Sequence, residues 1–275
     1  MTTAPAEPQQ PQLSEPLLRL AGIGKNFGPV RALANIDLDI PVGQVTAILG
    51  DNGAGKTTLI KCISGIWQPD RGQIFWNGRP VHLHTPRDAT ELGIATVYQD
   101  LALCDNLDIV QNMFLGREIV RRLQLNEIRM ELSAKQTLKD LKVVSVRSIR
   151  QPVGSLSGGQ RQAVAVARAV MSDAKLVIMD EPTAALGVTQ TRVVLDLIKR
   201  LAGQGIAVIV ISHNLNDVMS VADRLAVLYL GTLAAVGPKE QFDNQVVVDL
   251  MTTGTSQRLT ERGQPASIGE ASSEH

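Results

Sequence analysis

The chain has 275 residues, of which 44% are hydrophobic and 20% charged, proportions that exclude disordered, collagen-like and coiled-coil classes for most of its length. Its 27 basic and 27 acidic residues leave a formal net charge of +0, so no overall field draws it to nucleic acid or anionic lipid. Two cysteines, Cys62 and Cys104, are too few for a disulfide framework or a thiolate metal site and read as packing residues in a reducing compartment.

Residues 1–16 carry four prolines and little apolar content, which predicts an extended, solvated tail without a secretory signal pattern. The segments 17–23 (LLRLAGI) and 34–40 (ANIDLDI) predict half-buried strands, and FWNG ending at Gly78 predicts a hairpin through Asn77-Gly78, so the chain opens with an antiparallel unit. VTAILG (45–50) then leads through a glycine-rich loop into a helix. Roughly 107–150 reads as mainly helical, inserted between two halves of a parallel-sheet pattern. The second half comprises the apolar runs KLVIMD (175–180) and IAVIVIS (206–212), which predict strands buried on both faces. The longest apolar run, Leu225 to Gly237, is too short to span a bilayer. Residues 255–275 are polar and Gly/Ser-rich and predict a second tail, and no fixed-period repeat is visible. The fold class implied is α/β, with a mixed or parallel core sheet, an amino-terminal antiparallel subdomain and a helical insertion.

Gly50 to Thr58, GDNGAGKTT, satisfies G-x-x-x-x-G-K-[ST] between a strand and a helix. Gly50, Asp51, Asn52, Gly53, Ala54 and Gly55 form a loop whose N–H groups point at phosphate, and the helix that follows adds the positive end of its dipole. Lys56 supplies a point charge at the β- and γ-phosphates, Thr57 offers its hydroxyl to Mg²⁺, and Thr58, the next residue, is counted with the nucleotide-binding set. KLVIMDEPT supplies the complement: Asp180, at a strand end, to hold the Mg²⁺ shell, and Glu181 to polarise an attacking water.

LSGGQ at Leu156 to Gln160 is a helix amino terminus able to present N–H groups to a second phosphate, and here the chain resembles the ATP-binding subunits of ABC transporters. That resemblance covers about Leu17 to Gly254 and implies a P-loop ATPase domain over 17–254 with a helical subdomain at about 100–165. It implies ATP and Mg²⁺ as ligands and a head-to-tail homodimer, in which Ser157, Gly158, Gly159 and Gln160 of one subunit cap the ATP held by the other. It further implies that Gln99, in TVYQDL, touches Mg²⁺ and the water and senses the membrane partner, that His213 contacts the γ-phosphate, and that Phe27 stacks on adenine. The chain departs from the family pattern at Gly187 in PTAALG, where an Asp is usual.

A narrower likeness, in Pro86 to Glu118, is to the ATPases of bacterial simple-sugar importers of the ribose, xylose and fructose type. Many of those fuse two ATPase halves, whereas this chain has one phosphate loop and one LSGGQ, so two copies are required. The partners implied are transmembrane permease subunits and, through them, an extracytoplasmic sugar-binding protein, with no nucleic acid. The place implied is the cytoplasmic face of the bacterial inner membrane, as a peripheral subunit. An ABC exporter ATPase and a soluble, non-transport ABC ATPase remain alternatives at this point.

Overall fold

The computed structural model describes residues 15–258 except 123, 144, 145, 147 and 172. The two expected tails fall outside it, save for residues 15–16 and 255–258.

The two alternating segments at the start become β1 (Leu18–Phe27) and β2 (Val30–Ile40), paired antiparallel from Leu18 opposite Ile40 to Phe27 opposite Val30. After β3 (Val45–Leu49), the glycine loop and α1 (Lys56–Ile63) come β4 (Arg71–Trp76) and β5 (Arg79–Val81). Their turn has Asn77 at φ 47 and Gly78 at φ 72, the two left-handed residues that match a tight hairpin to the strands' twist. The order β2-β1-β4-β5 makes a four-stranded antiparallel sheet. Next come α2 (Pro86–Leu92), opened by a Thr85/Asp88 capping box, and β6 (Ile94–Val97).

The insertion holds α3 (Ile109–Phe114), β7 (Val120–Arg121), β8 (Gln124–Leu125) and α4 (Glu127–Asp140). The expectation of a mainly helical 107–150 is therefore corrected: a short hairpin with Val120 opposite Leu125 separates the two helices. Its strands are two residues each, too short to leave a period-2 pattern in the sequence. The chain continues with α5 (Gly158–Val170), β9 (Leu176–Asp180), α6 (Val188–Gly203), β10 (Ala207–Ile211), α7 (Leu215–Val221), β11 (Arg224–Tyr229), β12 (Thr232–Pro238) and α8 (Asn244–Thr253). The long apolar run at 225–237 is thus most of a β11–β12 hairpin, and among the described residues no helix is long and apolar enough to cross a membrane.

The main sheet has the order β12-β11-β3-β10-β9-β6, parallel except at the edge strand β12. Its inner strands are apolar throughout because both faces are covered. On β9, Val177 and Met179 pack with α5 and α6, while Leu176 and Ile178 pack with α1 and the antiparallel unit. Each such side chain, fully buried, contributes roughly 1.5–3 kcal/mol. Because β3, β10, β9 and β6 lie side by side and parallel, everything that follows their carboxyl ends meets along one rim, the usual place for a ligand in an open α/β sheet.

Candidate nucleotide site

The phosphate loop leaves β3 and ends on Gly55, which caps α1 at φ 105. A Cβ there would lie 2.7 Å from the Ala32 carbonyl oxygen and 2.9 Å from Leu33 Cδ2, so this position accepts only glycine. Lys56 Nζ donates to the carbonyls of Gly50 (2.7 Å) and Asp51 (2.9 Å), folding the loop around its own ammonium group. Burial lowers the lysine's pKa, opposed by the nearby carboxylates of Glu181, Asp51 and Asp180.

Asp180 ends β9, and Glu181 follows it in the left-handed region at φ 50, held by its N–H to the Ile211 carbonyl at 2.8 Å. A non-glycine residue in that conformation stores strain that only a packed surround maintains. Burial, then the Glu181 charge, raises the Asp180 carboxyl above its usual range, with Lys56 pulling the other way. The Glu181 side chain is 16% exposed, and its Oε2 lies 2.9 Å from His213 Nδ1. Those two atoms are close but misaligned, for Oε2 is buried without a hydrogen-bond partner. A carboxylate oxygen left so costs stability unless a ligand satisfies it. The solvated acidic pair that two adjacent acids would otherwise suggest is not what forms.

A cavity of about 540 Å³ runs over this rim, lined by Asn52, Gly53, Gly55, Lys56, Thr57 and Thr58 on one side and Gln99, Asp180 and Glu181 on the other. A second, of about 490 Å³, shares Gln99 and Glu181 and extends to Gly158, Arg161 and Leu186. Gln99, just beyond β6, therefore stands between the two. His213 reaches the first cavity through Glu181, its own side chain being 75% exposed. Gly50, Asp51 and Ala54 shape the loop from behind rather than line the space, Gly50 lying against the Leu228 carbonyl.

Ser157 caps α5 in a capping box with Gln160, its N–H donating to Gln160 Oε1 at 2.9 Å. Among the described residues, none of Ser157, Gly158, Gly159 and Gln160 lines the cavity over the phosphate loop. The paired glycines also have a packing reason that the sequence reading lacked. A Cβ on Gly158 would meet Leu186 Cδ2 at 2.7 Å, and one on Gly159 would meet Gln190 Cβ at 3.1 Å, so the start of α5 lies directly on the segment leading into α6 and on the first turn of that helix. Gly187, the departure from the family pattern, is the amino-terminal cap of α6 at φ −72 and ψ 161, with no side-chain acceptor for the helix.

Phe27 ends β1 with 40% of its surface exposed, not in the core where an aromatic residue usually sits. Its ring contacts Trp67 edge-on, centroids 4.7 Å apart. Sequence reasoning passed over Trp67, and also the far wall of the cavity: Val30, Arg31, Ala32, Leu230 and Gly231. The β11–β12 turn ties that wall together, Gly231 donating to the Ala54 carbonyl and accepting from Ala34 N–H. No local pattern announces such bonds, which join segments nearly 200 residues apart. The two thiols behave as packing groups: Cys62 is buried, with its pKa pushed up to about 11 by desolvation, and both cysteines are free.

A glycine loop at a helix start, with a lysine, and two acids at the end of a parallel strand two places away in the same sheet define a P-loop nucleotide hydrolase. Residues 33–184 match the ABC transporter family. The chain is 46% identical over 237 residues to the xylose/arabinose import ATP-binding protein of Sulfolobus acidocaldarius, covering 86% of this chain and 94% of that one. It is likewise 46% identical to the fructose import ATP-binding protein of Rhizobium meliloti, over 82% and 90% of the two chains. The ribose import ATP-binding protein of Caldanaerobacter subterraneus is 39% identical, and the match spans 48% of its length. Among solved structures, an ABC transporter ATP-binding cassette in its ADP conformation superposes with a TM-score of 0.74 at 26% identity, covering 89% of this chain and 97% of that one. A dimeric cassette with bound ADP and Pi gives 0.67 at 26% identity, over 81% and 98%. The chain belongs to the ABC transporter family as an ATP-binding subunit, and it hydrolyses ATP.

Proposed function

We propose that this protein energises an ABC importer for a monosaccharide, as a homodimer that binds two ATP at its interface. The single observation that carries the chemistry is the buried, unpartnered Glu181 oxygen, which borders the same cavity as Lys56, Thr57 and Asp180. In the proposed reaction the loop N–H groups and Lys56 hold the phosphates, Lys56 exchanging the Gly50 and Asp51 carbonyls for phosphate oxygens. Thr57, Asp180 and Gln99 would hold Mg²⁺, which supplies charge neutralisation at those oxygens. Glu181 takes a proton from water as the water oxygen bonds to the γ-phosphorus; the bond to the bridging oxygen breaks, releasing ADP and phosphate. A positioned general base of this kind contributes typically about 10²- to 10⁴-fold. His213, beside the Glu181 carboxylate, reaches toward the γ-phosphate, and Phe27 carries the adenine.

The position of LSGGQ supports the homodimer: the α5 amino terminus does not line the cavity over the chain's own phosphate loop, and in this reading Ser157, Gly158, Gly159 and Gln160 serve the ATP of a second copy. A groove between α2, β6 and the start of the insertion, lined by Ala89, Thr96, Leu101, Ala102, Arg117 and Arg168, suits a cytoplasmic helix of the permease beside Gln99. Closure of the dimer on ATP, which favours the closed state by its differential affinity, turns the permease outward to receive sugar from an extracytoplasmic binding protein. The subunit thereby sits at the cytoplasmic face of the plasma membrane. The family's domain spans 17–254 in this reading, with the helical subdomain at about 100–165. Sugar import, rather than export, is supported by the names of the relatives at 46% identity.

Affinity purification from gently solubilised membranes of the native cell tests this. A copurifying permease, together with a secreted protein that binds a monosaccharide and stimulates the ATPase of the reconstituted complex, is the expected result. Recovery without any permease, or stimulation by substrate on the cytoplasmic side alone, overturns the importer.

A further inference from the structure

The end of β1 is fastened from outside by a short loop whose sequence, WQPD (67–70), no motif assigns. Asp70 accepts from Lys25 Nζ at 2.8 Å and from Asn26 N–H at 2.6 Å, and its own N–H donates to the Gly24 carbonyl at 2.8 Å. At the other end of the loop, Trp67 donates its backbone N–H to the Lys61 carbonyl at 3.0 Å, and Lys61 Nζ sits 4.3 Å from the centre of the indole ring. The loop therefore joins α1, which begins at the phosphate loop, to the three residues just before Phe27. The Phe27 ring, at an interplanar angle of 67° to Trp67, has one direction closed by the indole. Opposite it in the β1–β2 pairing is Val30, which lines the nucleotide cavity.

We propose that Trp67 is a positioning residue for the nucleotide base: its edge-on contact fixes the Phe27 ring in the orientation against which a purine stacks, and the Asp70 clamp keeps that platform in register with α1. The proposal rests on the reading of Phe27 as the base platform. Two consequences follow from aromatic geometry. Removing the indole frees Phe27 to rotate and weakens base stacking, while the phosphate loop, which is built from other residues, is untouched. A base arriving on Phe27 also changes the surroundings of Trp67, and the chain's other tryptophan, Trp76, is a buried residue of β4.

The test uses the purified full chain, with Mg-ATP and Mg-tripolyphosphate as probes that differ by the nucleoside. Trp67→Leu is expected to weaken ATP binding about two- to tenfold, the range of an aromatic pair, while tripolyphosphate affinity and kcat stay within about twofold. Trp67→Phe, which restores an aromatic edge, is expected to recover most of the ATP affinity. In the wild type, ATP shifts the tryptophan emission and tripolyphosphate does not; the shift disappears in Trp67→Phe. Equal weakening of both probes by Trp67→Leu, or unchanged ATP binding in a folded Trp67→Leu protein, overturns the proposal. Phe27→Leu separates the two layers. If it weakens ATP binding and Trp67→Leu does not, only the role of Trp67 falls; if Phe27→Leu leaves ATP binding unchanged, the base platform itself is misassigned.

Discussion

Gly187 caps a 16-residue helix without supplying an acceptor, and replacing it with Asp tests whether that deficit is real. The backbone, at φ −72 and ψ 161, is extended and suits any residue, and nothing lies within 4 Å of a Cβ added there. An Asp carboxylate can therefore accept from the free N–H groups of the first turn of α6. Replacing glycine by a capping side chain is worth a few tenths of a kcal/mol, and a negative charge at the positive end of the helix dipole adds about 0.3–1 kcal/mol. The loss of glycine's freedom in the unfolded chain adds about 0.4–1 kcal/mol more. The sum is about 1–2 kcal/mol, or roughly 2–8 °C in melting temperature for a domain of this size. Thermal denaturation of wild type, Gly187→Asp and Gly187→Asn, at low and at high salt, reads it. The Asn variant retains the cap but not the charge, so Asp should exceed Asn at low salt and approach it at high salt. A Gly187→Asp protein that melts no higher than wild type would show that the segment lying on Gly158 and Gly159 is already held by its packing, and would refute the capping argument.

Glu181→Gln keeps the shape of the side chain but cannot accept the proton; ATP turnover should fall by about 10²- to 10⁴-fold while ATP still binds, and size-exclusion chromatography with Mg-ATP should reveal a trapped dimer. Wild-type turnover would remove Glu181 from the reaction. Gly55→Ala places a Cβ 2.7 Å from the Ala32 carbonyl at φ 105; the chain should lose about 2–4 kcal/mol of stability and its affinity for ATP, and an unchanged denaturation midpoint would contradict the steric argument. Asp180 is held above the ordinary carboxylate range by burial and by Glu181. Between its unfolded and folded pKa the native state thus binds the extra proton, and nucleotide-free stability falls as pH rises through that window. Asp180→Asn should therefore melt hotter than wild type at neutral pH without nucleotide, lose that gain in acid below the unfolded carboxylate's range, and lose ATPase activity. A variant less stable than wild type at pH 7 would reverse the sign and sink the account.

What is legible in the linear chain is local. Gly50 to Thr58 can be read because a phosphate cradle needs its glycines, lysine and threonine within one turn of backbone, and the cradle does open α1. The strands at 175–180 and 206–212 can be read because a strand buried on both faces must be apolar throughout, and β9 and β10 lie beneath helices on one face and the antiparallel unit on the other. Asn77-Gly78 can be read because few other residues tolerate two consecutive left-handed conformations. The β7–β8 hairpin escapes reading because four residues carry too little pattern to compete with the helices on either side.

The tertiary structure alone decides how those pieces meet. The order β3-β10-β9-β6 brings Lys56, His213, Glu181 and Gln99 to one rim from positions up to 157 residues apart, and no local spacing encodes that adjacency. Packing, too, reveals that Gly158 and Gly159 are small because Leu186 and Gln190 press on them, that Phe27 stands at the surface against Trp67, and that one Glu181 oxygen is buried without a partner. Each of these is a relation between distant segments in a common interior, where close packing and the cost of unpaired polar atoms act on whatever the folded chain brings together. Local backbone chemistry therefore dictates the phosphate loop from sequence, whereas the surroundings that make it a catalytic site come into being only when the sheet assembles.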